Sequence, residues 1–270
     1  MGSGIAEVAA RAGHSVTVRE MNSELLARGQ GLVEKSLSTA LRRGKLSAEA
    51  RDAAWAKLTF TTELAGLAQC DLVIEAATEN PTVKKELFAA LDATCSPATI
   101  LASNTSSIPI VELAAATKRP ALVLGLHFFN PAPVMQLVEV IRTIVVADAT
   151  VGAVTHFAEG LGKTAILAKD RAGFIVNVLL VPYLLDAVRL VEQGIASKED
   201  IDLGMRLGCG HPMGPLQLLD FVGIDTTYYI AEIMFQEYKE AKFAPPPLLK
   251  HMTIAGLHGR KTGQGFYNYP

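Results

Sequence analysis

Asp71-Leu72-Val73-Ile74-Glu75-Ala76, a helical pattern over residues 81–91, and Thr99-Ile100-Leu101-Ala102-Ser103 make up the stretch whose reading decides the fold. Two short apolar runs flank a segment that Pro81 can open at its first turn. That is strand, helix, strand, and the alternation extends in both directions. Upstream, residues 1–12 read as a helix already under way, with Ile5, Val8, Ala9 and Ala12 on one face and Gly13 as its stop. Ser15-Val16-Thr17-Val18-Arg19-Glu20 reads as a strand ending in a carboxylate. A long amphipathic helix over 23–43 follows, stopped by Gly44, and Ser47 can cap a short helix through Trp55. Downstream, strands are expected at 121–128, 136–141 and 165–167, with a helix over 150–161. This alternation implies a mostly parallel sheet with helices on both faces, a doubly wound Rossmann-type α/β domain.

The pattern changes near Asp170. Helices are expected over 176–192, 198–207 and 215–237, and Pro245-Pro246-Pro247 breaks the run. The boundary belongs at 169–173. Residues 1–170 are then expected to form the Rossmann-type domain, the kind that binds dinucleotides, and 171–270 an all-helical domain.

The 270 residues carry 25 Lys and Arg against 27 Asp and Glu, so neither a basic nucleic-acid surface nor a charged disordered tail is expected. Cys70, Cys95 and Cys209 lie far apart and form no C-x-x-C, which fits buried free thiols in a reducing compartment and argues against a metal site. No apolar run reaches the length of a membrane span, and no signal or transit peptide precedes the first element. The expectation is a soluble protein of the cytoplasm, or of the mitochondrial matrix with its leader absent, with no nucleic-acid or membrane partner.

Several residues could carry chemistry. Gly2 could end a Gly-rich phosphate turn at the start of the first helix, and Glu20 stands at the spacing of the acid that binds ribose. Helix packing by Gly2 and a surface Glu20 account for the fragment equally well. His127 lies at the end of an expected strand, where open α/β sheets place ligands. The following Asn130-Pro131 turns the chain. Glu139, on the next apolar run, could fix the imidazole tautomer, but spacing alone does not bring the two together. Ser103-Asn104-Thr105-Ser106-Ser107 reads as a hydrogen-bonded turn capping the next helix, a reading compatible with binding. Asn177 is polar within an apolar helical stretch and requires a structural partner or a ligand.

In order along the chain stand Ala102-Ser103-Asn104-Thr105-Ser106-Ser107, His127-Phe128-Phe129-Asn130-Pro131, residues 170–177, His211-Pro212-Met213-Gly214-Pro215 and Lys261-Thr262-Gly263-Gln264-Gly265-Phe266-Tyr267. Together they resemble the short-chain (S)-3-hydroxyacyl-CoA dehydrogenases, including 3-hydroxybutyryl-CoA dehydrogenases, over essentially the whole chain. The resemblance implies NAD as cofactor and an acyl-CoA substrate of short chain, in fatty acid β-oxidation or butanoate metabolism. It implies His127 as general base with Glu139 orienting it, and Ser106 and Asn177 positioning substrate oxygens. Gly2, Glu20, Glu79, Lys84, Ser106, Asn130 and Lys261 match cofactor-contact positions, and Ser36 and Arg43 match positions that contact coenzyme A. The helical domain would carry substrate contacts and a homodimer interface.

The first strand of the sheet and the first two glycines of the fingerprint are missing ahead of Met1. The sheet is therefore expected to lack its central strand, and a form extended by about ten residues to bind NAD better and be more stable. Two alternatives follow: a truncated homologue that binds without catalysis, or a sister dehydrogenase of non-CoA hydroxy acids. The set His127, Glu139, Ser106 and Asn177 argues against the first, and Ser36 with Arg43 against the second.

Overall fold

The structure, a computed structural model, describes residues 1–269. The chain divides into two compact units, Met1–Asp170 and the residues from Arg171 onward.

The first unit runs α1 (Gly2–Arg11), β1 (Val16–Arg19), α2 (Ser23–Arg42), α3 (Ala48–Trp55), β2 (Leu58–Thr61), β3 (Leu72–Glu75), α4 (Pro81–Thr94), β4 (Ile100–Ser103), α5 (Ile110–Ala114), β5 (Val123–Phe128), β6 (Leu137–Arg142), α6 (Asp148–Gly160) and β7 (Thr164–Lys169). Local chemistry sets the helix starts. Asn22 Oδ1 accepts from Leu25 N at 2.9 Å to open α2, and Ser47 Oγ accepts from Ala50 N at 3.1 Å to open α3. Asn80 Oδ1 accepts from Thr82 N and Val83 N ahead of Pro81, the first residue of α4. β2 was not anticipated, and α5 was expected only as a helix of unstated length after the Ser/Thr run. Both are short, and each is held by a distant partner: β2 pairs with β1, and α5 packs on β5.

β1 and β2 form a two-stranded parallel sheet, and β3 to β7 form a five-stranded sheet in chain order. A doubly wound sheet places its first strand centrally. That position, between β1 and β3, holds no strand among the described residues. Within the larger sheet all pairings are parallel except β5 with β6. Residues 129–136 are too few for the dozen or so that a parallel crossover takes, so β6 must return antiparallel. Every residue of β5 is buried. One core joins Leu124, Leu126 and Phe128 of β5 to Val138 and Val140 of β6, Ile5 and Val8 of α1, and Val151 and Val154 of α6.

The second unit comprises α7 (Val176–Glu192), α8 (Lys198–Gly208), α9 (Pro215–Val222), α10 (Ile224–Tyr238) and α11 (Pro247–Ile254). They enclose a core that includes Leu184, Leu185, Leu216, Leu219, Met234 and Leu249. The single helix expected over 215–237 is two helices. Gly223 breaks it at φ 108°, a conformation that strains any side-chain-bearing residue. Buried Asp202 takes the first amides of α9, Leu216 N and Gln217 N. No helix is long and apolar enough to cross a membrane among the described residues.

Candidate active site

The antiparallel turn-back has a chemical consequence. β5 and β6 pair with His127 directly opposite Glu139. Residues facing each other across an antiparallel pair project to the same side of the sheet. Twelve positions of sequence therefore close to 2.7 Å between His127 Nδ1 and Glu139 Oε2. Glu139 is 0% exposed and His127 6%. An ionised carboxylate only accepts, so beside it Nδ1 carries the hydrogen and Nε2 is left as the nitrogen able to exchange a proton. The Phe129 ring leans on the imidazole, with centroids 4.6 Å apart. Asn104 Oδ1 accepts from Phe128 N at 2.8 Å and ties the end of β5 to the end of β4.

Gly125 shares the face of His127, two residues away. A Cβ there would stand 2.7 Å from Ile141 Cβ and 3.1 Å from Ile110, so the bare backbone lets α5 lie against this face. The Ser/Thr run was expected to cap the next helix, and it does not. Thr105 Oγ1 accepts from Ile108 N, and Ser103 Oγ accepts from Thr105 N, closing a turn within the run. Pro109 occupies the N-cap of α5 without a side-chain acceptor. Asp170 does the capping instead, accepting Ile110 N at 2.8 Å and Val111 N at 2.7 Å.

A second cluster joins the ends of β3 and β4. Lys84 and Glu75 side chains are each 1% exposed and pair at 2.6 Å. Glu75 also accepts Ser103 Oγ and Ala77 N, each at 2.6 Å. Glu79 takes Thr105 Oγ1 at 2.7 Å and Ser106 N at 2.9 Å, with Ser106 Oγ at 3.2 Å and Lys84 Nζ at 3.8 Å. Expected site residues Glu79, Lys84 and Ser106 thus belong to one network. Its hub, Glu75, was not singled out in the sequence. Its signal there was a carboxylate closing an apolar strand, nine residues before a Lys.

The remaining candidates fall as follows. Gly2 opens α1, whose N-cap residue supplies no side-chain cap, and a Cβ on Gly2 would lie 3.7 Å from Ala76, just beyond β3. Half-buried Glu20 directly follows β1, its N–H donating to Thr61 O. Neighbouring Arg19 has its Nε committed to Thr62 O. An uncapped helix start and a carboxylate at the carboxyl ends of parallel strands fit a dinucleotide's pyrophosphate and ribose. Half-buried Ser36 and exposed Asn130 line a cavity of about 250 Å³ between α1, α2 and the loop that contains the cis Asn130–Pro131 bond. Arg43 is the exposed C-cap of α2. In the helical unit, half-buried Asn177 sits in the first turn of α7, after left-handed Gly173 and Phe174. Lys261 pairs with Asp225 of α10. No group of acids, cysteines and histidines arranged to hold a metal occurs among the described residues.

Parallel strands with an open helix start and an acid at their carboxyl ends, together with a buried imidazole–carboxylate pair, define the class of dinucleotide-dependent dehydrogenases. In such a class an imidazole can carry the proton while a dinucleotide carries the hydride. Comparison with known proteins narrows the class. Residues 1–171 match the family model described as 3-hydroxyacyl-CoA dehydrogenase, NAD binding domain, and residues 173–269 match 3-hydroxyacyl-CoA dehydrogenase, C-terminal domain. The chain is 53% identical over 271 residues to the 3-hydroxybutyryl-CoA dehydrogenase of Mycobacterium tuberculosis, covering 100% of this chain and 95% of that protein. It is 49% identical to a probable 3-hydroxybutyryl-CoA dehydrogenase of Deinococcus radiodurans over 269 residues, covering 100% and 96%. The crystal structure of M. tuberculosis FadB2 matches with a TM-score of 0.99 at 53% identity, over 100% of this chain and 95% of that one. The chain belongs to the 3-hydroxyacyl-CoA dehydrogenase family, and its cofactor is NAD.

Proposed function

We propose that this protein interconverts (S)-3-hydroxybutyryl-CoA, and similarly short (S)-3-hydroxyacyl-CoA thioesters, with their 3-oxo forms. The observation that carries the reading is the buried 2.7 Å contact between His127 and Glu139. In oxidation, His127 Nε2 takes the 3-hydroxyl proton as the C3–H bond gives up its hydride. Glu139 offsets the positive charge that grows on the ring. In reduction, protonated His127 returns the proton to the forming alkoxide. NAD held at Gly2 and Glu20 would supply the hydride acceptor for oxidation and, in its reduced form, the hydride donor for reduction.

Ser106, held by Glu79, orients the substrate oxygen, while Glu79 and the buried Lys84–Glu75 pair hold that loop in place. Gly2 and Glu20 receive the pyrophosphate and the adenosine ribose, and Asn130 adds a cofactor contact. Ser36 and Arg43 contact coenzyme A, with Arg43 offering a phosphate-pairing guanidinium. The roles of Asn177 toward substrate and Lys261 toward cofactor rest on motif resemblance. A homodimer through the helical unit is supported by the exposed side chains of Leu179 on α7 and Leu203 and Leu207 on α8. Sedimentation of the pure protein tests it.

The activity is tested by nicotinamide absorbance, with acetoacetyl-CoA plus NADH, 3-hydroxybutyryl-CoA plus NAD, and free 3-hydroxybutyrate plus NAD. Turnover of the two thioesters supports the proposal. Turnover of the free acid alone would point to a dehydrogenase of non-CoA hydroxy acids, and no turnover would overturn the reading.

A further inference from the structure

Glu7 has no part in the chemistry above. It lies on α1 and lines the 250 Å³ cavity together with Ser3 and Gly4 of the same helix, and Leu32 and Ser36 of α2. Gly4 keeps the cavity's third wall close, since a Cβ there would meet Pro133 Cδ at 3.2 Å. Glu7 is 1% exposed. Its Oε1 receives Arg11 Nη1 at 3.3 Å, one helical turn on. Its Oε2 is buried and has no hydrogen-bond partner.

A buried carboxylate oxygen without a donor is costly, and nearly all such atoms are satisfied. Lys163 does not satisfy it. Its Nζ donates to Ala132 O at 2.7 Å and Met135 O at 2.8 Å, so it holds the cavity-wall loop instead. Burial lowers the Lys163 ammonium from its ordinary range, the Arg11 charge adds to this, and the Glu7 charge opposes it. The carboxylate is therefore an acceptor whose nearby cations are already engaged. The cavity around it is largely apolar, lined by Leu32, Pro131, Pro133 and Val134, with hydroxyls from Ser3 and Ser36 and the amide of Asn130 as its other polar groups. A ligand that fits alternates short alkyl segments with single hydrogen-bond donors.

We infer that Glu7 Oε2 accepts a hydrogen bond from an amide N–H of the substrate's pantetheine arm, making Glu7 a specificity-determining residue for the coenzyme A portion. This rests on the CoA-thioester reading above. Glu7 touches no reacting atom in this role. It discriminates between a thioester that carries amides and one that does not.

The test compares acetoacetyl-CoA with the acetoacetyl thioester of ethanethiol, which has the same reacting groups and no amide. Glu7→Gln and Glu7→Leu are measured beside the wild type, with circular dichroism and thermal melting as controls for folding. Gln is isosteric but has one oxygen, so when that oxygen faces Arg11 its NH₂ opposes the ligand's N–H. Loss of one charge-assisted hydrogen bond predicts that the kcat/KM ratio between the two thioesters falls about tenfold or more in both variants. The change should appear in KM for acetoacetyl-CoA, with KM for NADH unmoved. In the wild type, N-methylation of the pantetheine amides should give the same loss, which decides the matter even where a variant folds poorly. A ratio unchanged in folded variants, or full tolerance of N-methylation, overturns the inference and leaves Glu7 serving Arg11 alone. A wild type that neither turns over acetoacetyl-CoA nor binds coenzyme A by calorimetry sinks this inference together with the functional reading.

Discussion

Replacing Glu139 by Gln isolates the charge in the imidazole–carboxylate pair. Glu139 is 0% exposed and lies 2.7 Å from His127 Nδ1, so its charge acts on the ring at contact distance with little solvent between. A hydrogen bond to a charged group is worth about 1.5–3 kcal/mol. In Glu139→Gln the amide oxygen can still accept from Nδ1, which preserves the tautomer and ring orientation. What is lost is the countercharge to an imidazolium that forms only as the proton transfers. At roughly 1.4 kcal/mol per factor of ten, kcat should fall about 10–150-fold. His127→Gln should lose about 10²–10⁴-fold, the usual contribution of general acid–base catalysis. The double variant should be no worse than His127→Gln alone, because the carboxylate acts only through the ring. The assay is kcat at saturating acetoacetyl-CoA and NADH, with circular dichroism to show that β5 and β6 remain paired. A folded Glu139→Gln enzyme within about twofold of wild type would refute the idea that this charge is used in the reaction.

Lys84→Met should cost about 3–5 kcal/mol of stability in urea unfolding, since it leaves the Glu75 carboxylate buried and uncompensated. A loss under about 1 kcal/mol would mean that Glu75 does not depend on Lys84 for its charge. Alkaline pH should loosen the C-terminal tail: burial, the hydrogen bond to Asp220 and the Asp220 charge together push the Tyr269 phenol up to about 12. The raised value favours the neutral phenol in the folded state. Its contribution is therefore complete below the ordinary tyrosine value of about 10 and lost between there and about 12. Melting temperatures across that window should fall more steeply in wild type than in Tyr269→Phe, and parallel curves would remove Tyr269 from the account. NAD should be preferred over NADP in kcat/KM, because a carboxylate at Glu20 repels a 2′-phosphate while accepting ribose hydroxyls. Glu20→Ser should narrow the preference, and a wild-type enzyme that favours NADP would contradict the role of Glu20.

Much of this protein is decided locally. Helix starts such as Asn22, Ser47 and Asn80-Pro81 carry their own caps, and strands β3 and β4 are short apolar runs bounded by polar turns, so both could be read from neighbours in the chain. The ordered motifs likewise point to the family and to its NAD domain from sequence alone. Other features depend on partners far away in sequence. The four-residue β2 is a strand only because β1 lies alongside it. The cap of α5 comes from Asp170, some 60 residues downstream, and no run of Ser and Thr near the helix reveals that. Glu75 gains meaning only when Lys84 and Ser103 converge on it, and Glu7 only when α2 and the 130–134 loop enclose with α1 the cavity that it lines. The amino-acid sequence by itself determined the element order, the chemistry at hand and the family, because periodicity, capping and motif spacing are short-range properties. The tertiary structure alone decided which acid meets which base. The contact between His127 and Glu139 follows from an antiparallel register, and register is a property of two strands together that neither strand carries alone.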